Sequence, residues 1–278
     1  MFSETFKSRL EQFITYFGIG TFIVHFAIII AIKAGLLPAQ YFPDNLFGHP
    51  FAALFSPFSI LLIYEVYLLI YYLRKSYTKS VAKQLEIMAL ILLRNSFKDI
   101  GKMMHGHTSL INSELIKDLT GFVLVLLLLW LFYYIDSKRI GLQHELTEGF
   151  IKLKAKLSLF LLWIFLGLSV FSFSNWLVEL VKYSDNHGYL QDPSHVFYKE
   201  FFTLLTFVDV LLLLSSAKNL QNSILVIRNS GYVLATVLMR ISFGLEGWER
   251  IITIVLGASV AVFMLWISGR IVFSKMKV

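Results

Sequence analysis

Apolar residues run along this chain in long blocks, without the strict alternation of half-buried strands. Eight blocks stand out between polar clusters: 13–37, 51–73, 81–97, 119–135, 157–181, 201–217, 224–243 and 251–273. At 1.5 Å of rise per residue, about 20 helical residues cross a hydrocarbon core of about 30 Å. The blocks predict an all-α integral membrane protein with eight transmembrane helices. Block 81–97 is the least apolar, because it holds Lys83, Glu86 and Arg94. It spans only if those side chains face protein and not lipid.

Composition supports the membrane reading. Of the 278 residues 57% are apolar and 15% are charged, against about 25% charged in ordinary soluble domains. The mean hydropathy is +0.70. Charge placement then sets the orientation, since Lys and Arg collect on cytoplasmic flanks. Eight spans with both termini cytoplasmic leave Lys98, Lys102, Lys117, Lys182, Lys199 and Arg250 on the outer side and most of the 25 basic residues within. The net charge of +7 thus reflects topology and lipid headgroups, and no nucleic-acid partner is expected. The stretch 13–37 lacks a small-residue cleavage pattern and reads as an uncleaved span.

The chain repeats itself. Ile63-Tyr64-Glu65-Val66-Tyr67-Leu68-Leu69 in the second block aligns with Phe207-Val208-Asp209-Val210-Leu211-Leu212-Leu213 in the sixth. The third block places Arg94 before Asn95-Ser96-Phe97, and the seventh places Arg240 before Ile241-Ser242-Phe243. Leu129-Trp130-Leu131 and Leu265-Trp266-Ile267 close the fourth and eighth blocks. Charges inside spans are rare, so their matched order carries the alignment. Units of four spans have the same orientation and are related by an axis along the membrane normal. The predicted organisation is a first four-helix unit over 1–140, a charged cytoplasmic linker over 141–156 and a divergent second unit over 157–278.

At these residues the first half resembles the phosphate-starvation-inducible PsiE family of small bacterial inner-membrane proteins with four predicted spans. Tyr64-Glu65-Val66-Tyr67, Arg94 with Asp99, and Leu129-Trp130-Leu131 with Ser137-Lys138-Arg139 stand where that family has its acid between aromatics, its arginine and aspartate, and its Leu-Trp-Leu run before Ser-Lys-Arg. Asp209, Arg240 and Leu265-Trp266-Ile267 with Arg270 match more loosely. The resemblance implies architecture and a multi-pass place in a bacterial inner membrane, and it implies no reaction.

Five residues inside spans are the candidates for polar or relay chemistry: His25, Glu65, Arg94, Asp209 and Arg240. Glu65 and Asp209 sit about eight residues from the inner ends of their spans, about 12 Å deep. A bare carboxylate there costs at least ~2.5 kcal/mol, so each needs a partner or a proton. Arg94 and Arg240 are the obvious partners, yet they lie ~8 to 12 Å away in depth. Tilt and long side chains close that gap more readily in the first half than in the second. Competing pairings are Arg94 with Asp99, Arg240 with Glu246 or Glu249, and His25 with Glu65. Either a proton or cation relay or a buried structural pair leaves this trace.

Other chemistry has little to stand on. His105-Gly106-His107 resembles a surface metal clamp, but one close pair without a scaffold is a weak metal signal, and no metal site is assigned. A membrane haem needs two mid-bilayer axial ligands and only His25 is available, so no cofactor is expected. Cysteine is absent, which removes thiolate sites and disulfides. No Gly-rich phosphate loop, GxSxG elbow or HExxH occurs. Spans four and eight lack the repeated arginines of a voltage sensor. The expected function is a non-catalytic membrane anchor, scaffold or accessory subunit for a protein partner or homo-oligomer in the lipid bilayer. The alternative is a small-ion or proton-coupled transporter using Glu65 and Asp209.

Overall fold

A computed structural model describes residues 4–38, 42, 44–104, 113–138, 148–186, 193–219 and 223–276. All eight apolar blocks are helical, and no strand occurs among the described residues. The helices are α1 (Glu4–Lys33), α2 (Asp44–Phe47), α3 (Phe55–Lys75), α4 (Tyr77–Met104), α5 (Ser113–Ser137), α6 (Glu148–Asn186), α7 (Pro193–Asn219), α8 (Ser223–Ile241) and α9 (Gly247–Met276). A single turn of 3-10 helix, Pro50–Leu54, leads into α3. Among the described residues five helical stretches are long and apolar enough to cross a membrane: Glu4–Lys33, Pro50–Arg74, Ser113–Ser137, Lys152–Ser172 and Gly247–Gly269.

Helices α4, α5, α6, α7 and α9 begin and end outside their apolar blocks because helical hydrogen bonding satisfies the backbone whether or not the side chains are apolar. The extension matters most in α6. That helix starts at Glu148 and takes in Lys152, Lys154 and Lys156, which the apolar pattern alone assigns to a linker. Residues 141–147 of that linker lie outside the described residues.

Neighbours in sequence pack as neighbours in space: α1 on α3, α3 on α4, α4 on α5, then α6 on α7, α7 on α8 and α8 on α9. Across the two halves α5 meets α9, α3 meets α6 and α4 meets α8. Among the described residues the interior has two large apolar cores, beside a small cluster of Ile29, Ala52 and Ala53. One joins Leu62, Val66 and Leu69 of α3 to Leu161 and Phe165 of α6 and Phe201, Leu205 and Leu212 of α7. The other joins Val125 and Phe132 of α5 to Tyr232 and Ala235 of α8 and Ile254, Ala258 and Ala261 of α9.

Helix α4 belongs to both. Ile87 and Ile91 face the first core, whereas Leu85, Met88 and Leu92 face the second. From Ser80 to Ile100 no described side chain of α4 is exposed. The least apolar helix is therefore the most enclosed one, which is the only place its charges are tolerable. By contrast α5 exposes Leu119, Val123, Leu127 and Trp130, the apolar outer surface a hydrocarbon solvent calls for.

The α8–α9 contact is tight because it is built on small residues, which let helix backbones approach closely. A Cβ at Gly257 would lie 2.8 Å from the carbonyl oxygen of Ala235 and 2.8 Å from Met239 Cγ. Backbone cannot swing aside as a side-chain tip can, so Gly257→Leu should separate α8 from α9. The expected cost is ~1–3 kcal/mol or more, read as a lowered melting temperature in detergent. An unchanged melting temperature would contradict this packing.

Candidate functional site

The register of α1 against α3 decides where the candidate histidine stands. Tyr71 donates to Glu4 Oε1 at 2.6 Å and Lys7 donates to the Tyr72 hydroxyl at 3.1 Å, which ties the start of α1 to the end of α3. At the other end His25 Nδ1 meets Ser56 Oγ at 2.5 Å and Nε2 meets the Leu46 carbonyl at 2.9 Å. Glu65 stands nine residues below Ser56 on α3, about 13 Å along the axis. His25 and Glu65 therefore do not pair. His25 instead packs on the Phe47 ring, with ring centroids 4.7 Å apart, and joins α1 to α2 and to the start of α3.

Glu65 takes its cation from an unexpected neighbour. Lys83 Nζ lies 3.4 Å from Glu65 Oε2, and Lys83 also pairs with Glu86 one turn along α4. Glu86 in turn accepts a hydrogen bond from the Tyr133 hydroxyl of α5. One chain of contacts thus runs from α3 through α4 to α5. Arg94 lies elsewhere: its guanidinium stacks 4.9 Å from the ring centroid of Phe55, at the far end of α3 and about 15 Å along the axis from Glu65.

In the second half the expected order of difficulty is reversed. Arg240 Nη2 donates to Asp209 Oδ2 at 2.6 Å, and both side chains are at most 6% exposed. The guanidinium turns inward, away from Glu246 and Glu249, because two further acceptors hold it: Thr206 Oγ1 at 3.0 Å and Gln84 Oε1 at 2.9 Å. Its long stem covers the gap in depth that the Cα positions leave. Gln84 is the residue that sequence reasoning misses. It carries no charge and sits beside Lys83, yet at about 100° per residue the two side chains leave α4 in different directions. Lys83 holds α3, and Gln84 reaches α8.

Two more ionic groups complete the interior. Lys154 of α6 is 2% exposed, with Nζ 4.7 Å from the ring centroid of Tyr77 and within electrostatic reach of Asp209. Asp118 of α5, 1% exposed, pairs with Arg250 of α9. The apolar pattern places Asp118 just outside a span, so nothing in it predicts burial. The signal that could have found the pair is a complementary charge near the start of each of two long helices.

His105 and His107 lie outside the described residues. His49 caps the 3-10 turn, its Nδ1 accepting from the Phe51 backbone N–H at 3.3 Å. Among the described residues no cluster of three or more His, Asp or Glu could hold a metal ion. What the geometry offers is a set of buried, mutually compensating charges that join helices.

Such pairs fail badly when halved. Asp209→Ala leaves Arg240 buried without its carboxylate and should lower stability by ~3–5 kcal/mol, whereas Asp209→Leu combined with Arg240→Leu should lose much less. Thermal unfolding of the single and double variants in detergent checks the coupling, and additive losses would deny it. Lys83→Met should release Glu65 and Glu86 together and cost more than Lys79→Met at the exposed start of the same helix.

No family model, curated protein or solved structure matches the chain.

Proposed function

We propose that the protein is a non-catalytic, multi-pass membrane component, an anchor or accessory subunit for a protein partner or a second copy of itself in a bacterial inner membrane. The observation that carries this reading is that Arg240 of α8 is held by Asp209 and Thr206 of α7 and by Gln84 of α4. A guanidinium so held ties α7, α8 and α4 together and fixes the Asp209 carboxylate it binds, whereas a relay group needs freedom to exchange its proton. Asp118 with Arg250 joins α5 to α9 in the same way.

The reading includes eight spans with cytoplasmic termini, arranged as two PsiE-like four-helix units. In its support, the units pack their helices in the same order and two of their three contacts join corresponding helices, α4 with α8 and α5 with α9, while the third joins α3 to α6. The two matched contacts are those an axis along the membrane normal would produce. The enclosure of α4 supports its place as a span despite its charges.

A second reading, proton or small-ion transport, is favoured by the polar chain of Glu65, Lys83, Glu86 and Tyr133 across three helices. Reconstitution in liposomes separates the two. For an anchor, wild-type protein carries no pH-linked flux, while Asp209→Asn is destabilised and a defined partner co-purifies in mild detergent. Wild-type flux that disappears in well-folded Glu65→Gln and Asp209→Asn variants would establish transport instead. For the topology, a tag placed in 105–112 should label from the outer side, and labelling from the cytoplasm would overturn the eight-span arrangement.

A further inference from the structure

One end of the bundle gathers the ends of five helices. The start of α1 is tied to the end of α3 through Glu4 with Tyr71 and Lys7 with Tyr72, and α4 begins where α3 stops. Lys154, near the start of α6, lies over Tyr77 at the start of α4. Glu86, in the third turn of α4, meets Tyr133, one turn before α5 ends.

Three of these helices, α1, α5 and α6, carry an exposed stripe, and the stripes read alike. On α1, Arg9, Phe13 and Phe17 are all exposed and follow one another at four-residue steps, with the two rings stacked 5.7 Å apart. On α6, exposed Lys156 is followed by Phe160 and by Trp163, which is 62% exposed. On α5 the order is inverted because the helix runs the other way. Trp130, 64% exposed, stacks on Tyr134 with centroids 5.6 Å apart, and Lys138 Nζ lies 4.1 Å from the Tyr134 ring centroid. Farther from the gathered ends the stripes turn aliphatic, with Val24 on α1, Leu127 on α5 and Val170 on α6 exposed.

Each cation thus stands four residues, about 6 Å, beyond the nearest aromatic of its stripe. Aliphatic surface, then aromatic rings, then a cation is the order in which a helix meets hydrocarbon, interface and headgroups. Among the described residues no carboxylate pairs with Arg9, Lys138 or Lys156. The far end of the bundle differs: Lys117 pairs with Glu114 at 2.7 Å and Arg250 with Asp118, and Glu246 and Glu249 are exposed. Sidedness asks only that cations stay on one side of the membrane. It does not ask that they stand outward and unpaired at one fixed step past an aromatic. The three helices also pack on different neighbours, α1 on α3, α5 on α4 and α9, α6 on α3 and α7. A counter-charge that reaches all three stripes must surround the bundle, as a leaflet does and a compact acidic protein does not.

We propose that this end of the bundle is a docking surface for the headgroups of anionic phospholipid, with Arg9, Lys138 and Lys156 holding phosphates just outside the aromatic rings. The inference rests on the membrane reading above and goes beyond it. Lipid that binds the folded bundle raises its stability, so the charge of the leaflet becomes a determinant of the fold.

The test is thermal unfolding of the full chain in nanodiscs of dioleoyl phosphatidylcholine, alone or mixed with dioleoyl phosphatidylglycerol, which keeps the acyl chains constant. Wild type should melt roughly 5 °C higher in the mixed bilayer. The triple variant Arg9→Gln, Lys138→Gln, Lys156→Gln should match wild type in phosphatidylcholine and lose the rise. Exchanging the same positions to Arg9→Lys, Lys138→Arg and Lys156→Arg should retain it, as should Lys117→Gln at the far end. Wild type that melts alike in both bilayers would leave this surface to a protein partner and overturn the proposal. A rise that survives in the triple glutamine variant would be a general bilayer effect and overturn it equally. A chain that enters neither bilayer would overturn the membrane reading and this inference with it.

Discussion

A charge placed in a low-dielectric interior must be compensated where it stands, and the arrangement of these helices follows from that constraint. Asp209 has Arg240, Glu65 has Lys83 and Asp118 has Arg250. Each pair joins two different helices, so satisfying the charges also specifies which helices touch. Lipid provides no hydrophobic drive for one apolar helix to choose another, and interior polar groups and small-residue contacts make that choice instead.

Helix α4 shows how one element can carry most of this load. Its Lys83, Gln84 and Glu86 point to three neighbours within a single turn. Its apolar residues serve both cores. An exposed α4 would be intolerable in hydrocarbon, and an entirely apolar one would leave α3, α5 and α8 without a common reference. Charge and enclosure therefore explain each other.

The two halves answer the same problem differently. Glu65 and Asp209 occupy corresponding places in the aligned sequences, yet one takes a lysine from the start of the next helix and the other an arginine from the end of it. The divergence traces to what fills the neighbouring positions. Lys83 is at hand for Glu65, whereas the aligned stretch of α8 offers Arg228 and Asn229 paired with each other, and Asp209 is left to Arg240. Once Arg240 turns inward it also meets Gln84, and one guanidinium ties α8 to both α7 and α4.

The amino-acid sequence by itself determined the helical class, the approximate positions of the eight long helices and four of the buried ionic residues, Glu65, Arg94, Asp209 and Arg240. Those follow from apolar run length and from the rarity of charge inside such runs, both local properties. Five of the helical stretches are apolar enough to cross a membrane on that measure alone. Partner choice was decided only by tertiary structure. His25 belongs to Ser56 and Leu46 because of the α1–α3 register, Arg94 lies over Phe55 at the far end of α3, and Lys154 is buried because α6 begins earlier than its apolar run. Gln84 was invisible as a site residue because an uncharged amide costs little to place in a sequence. Its importance comes from the direction its side chain leaves α4, and a direction around a helix axis has meaning only once the neighbouring helices are in place.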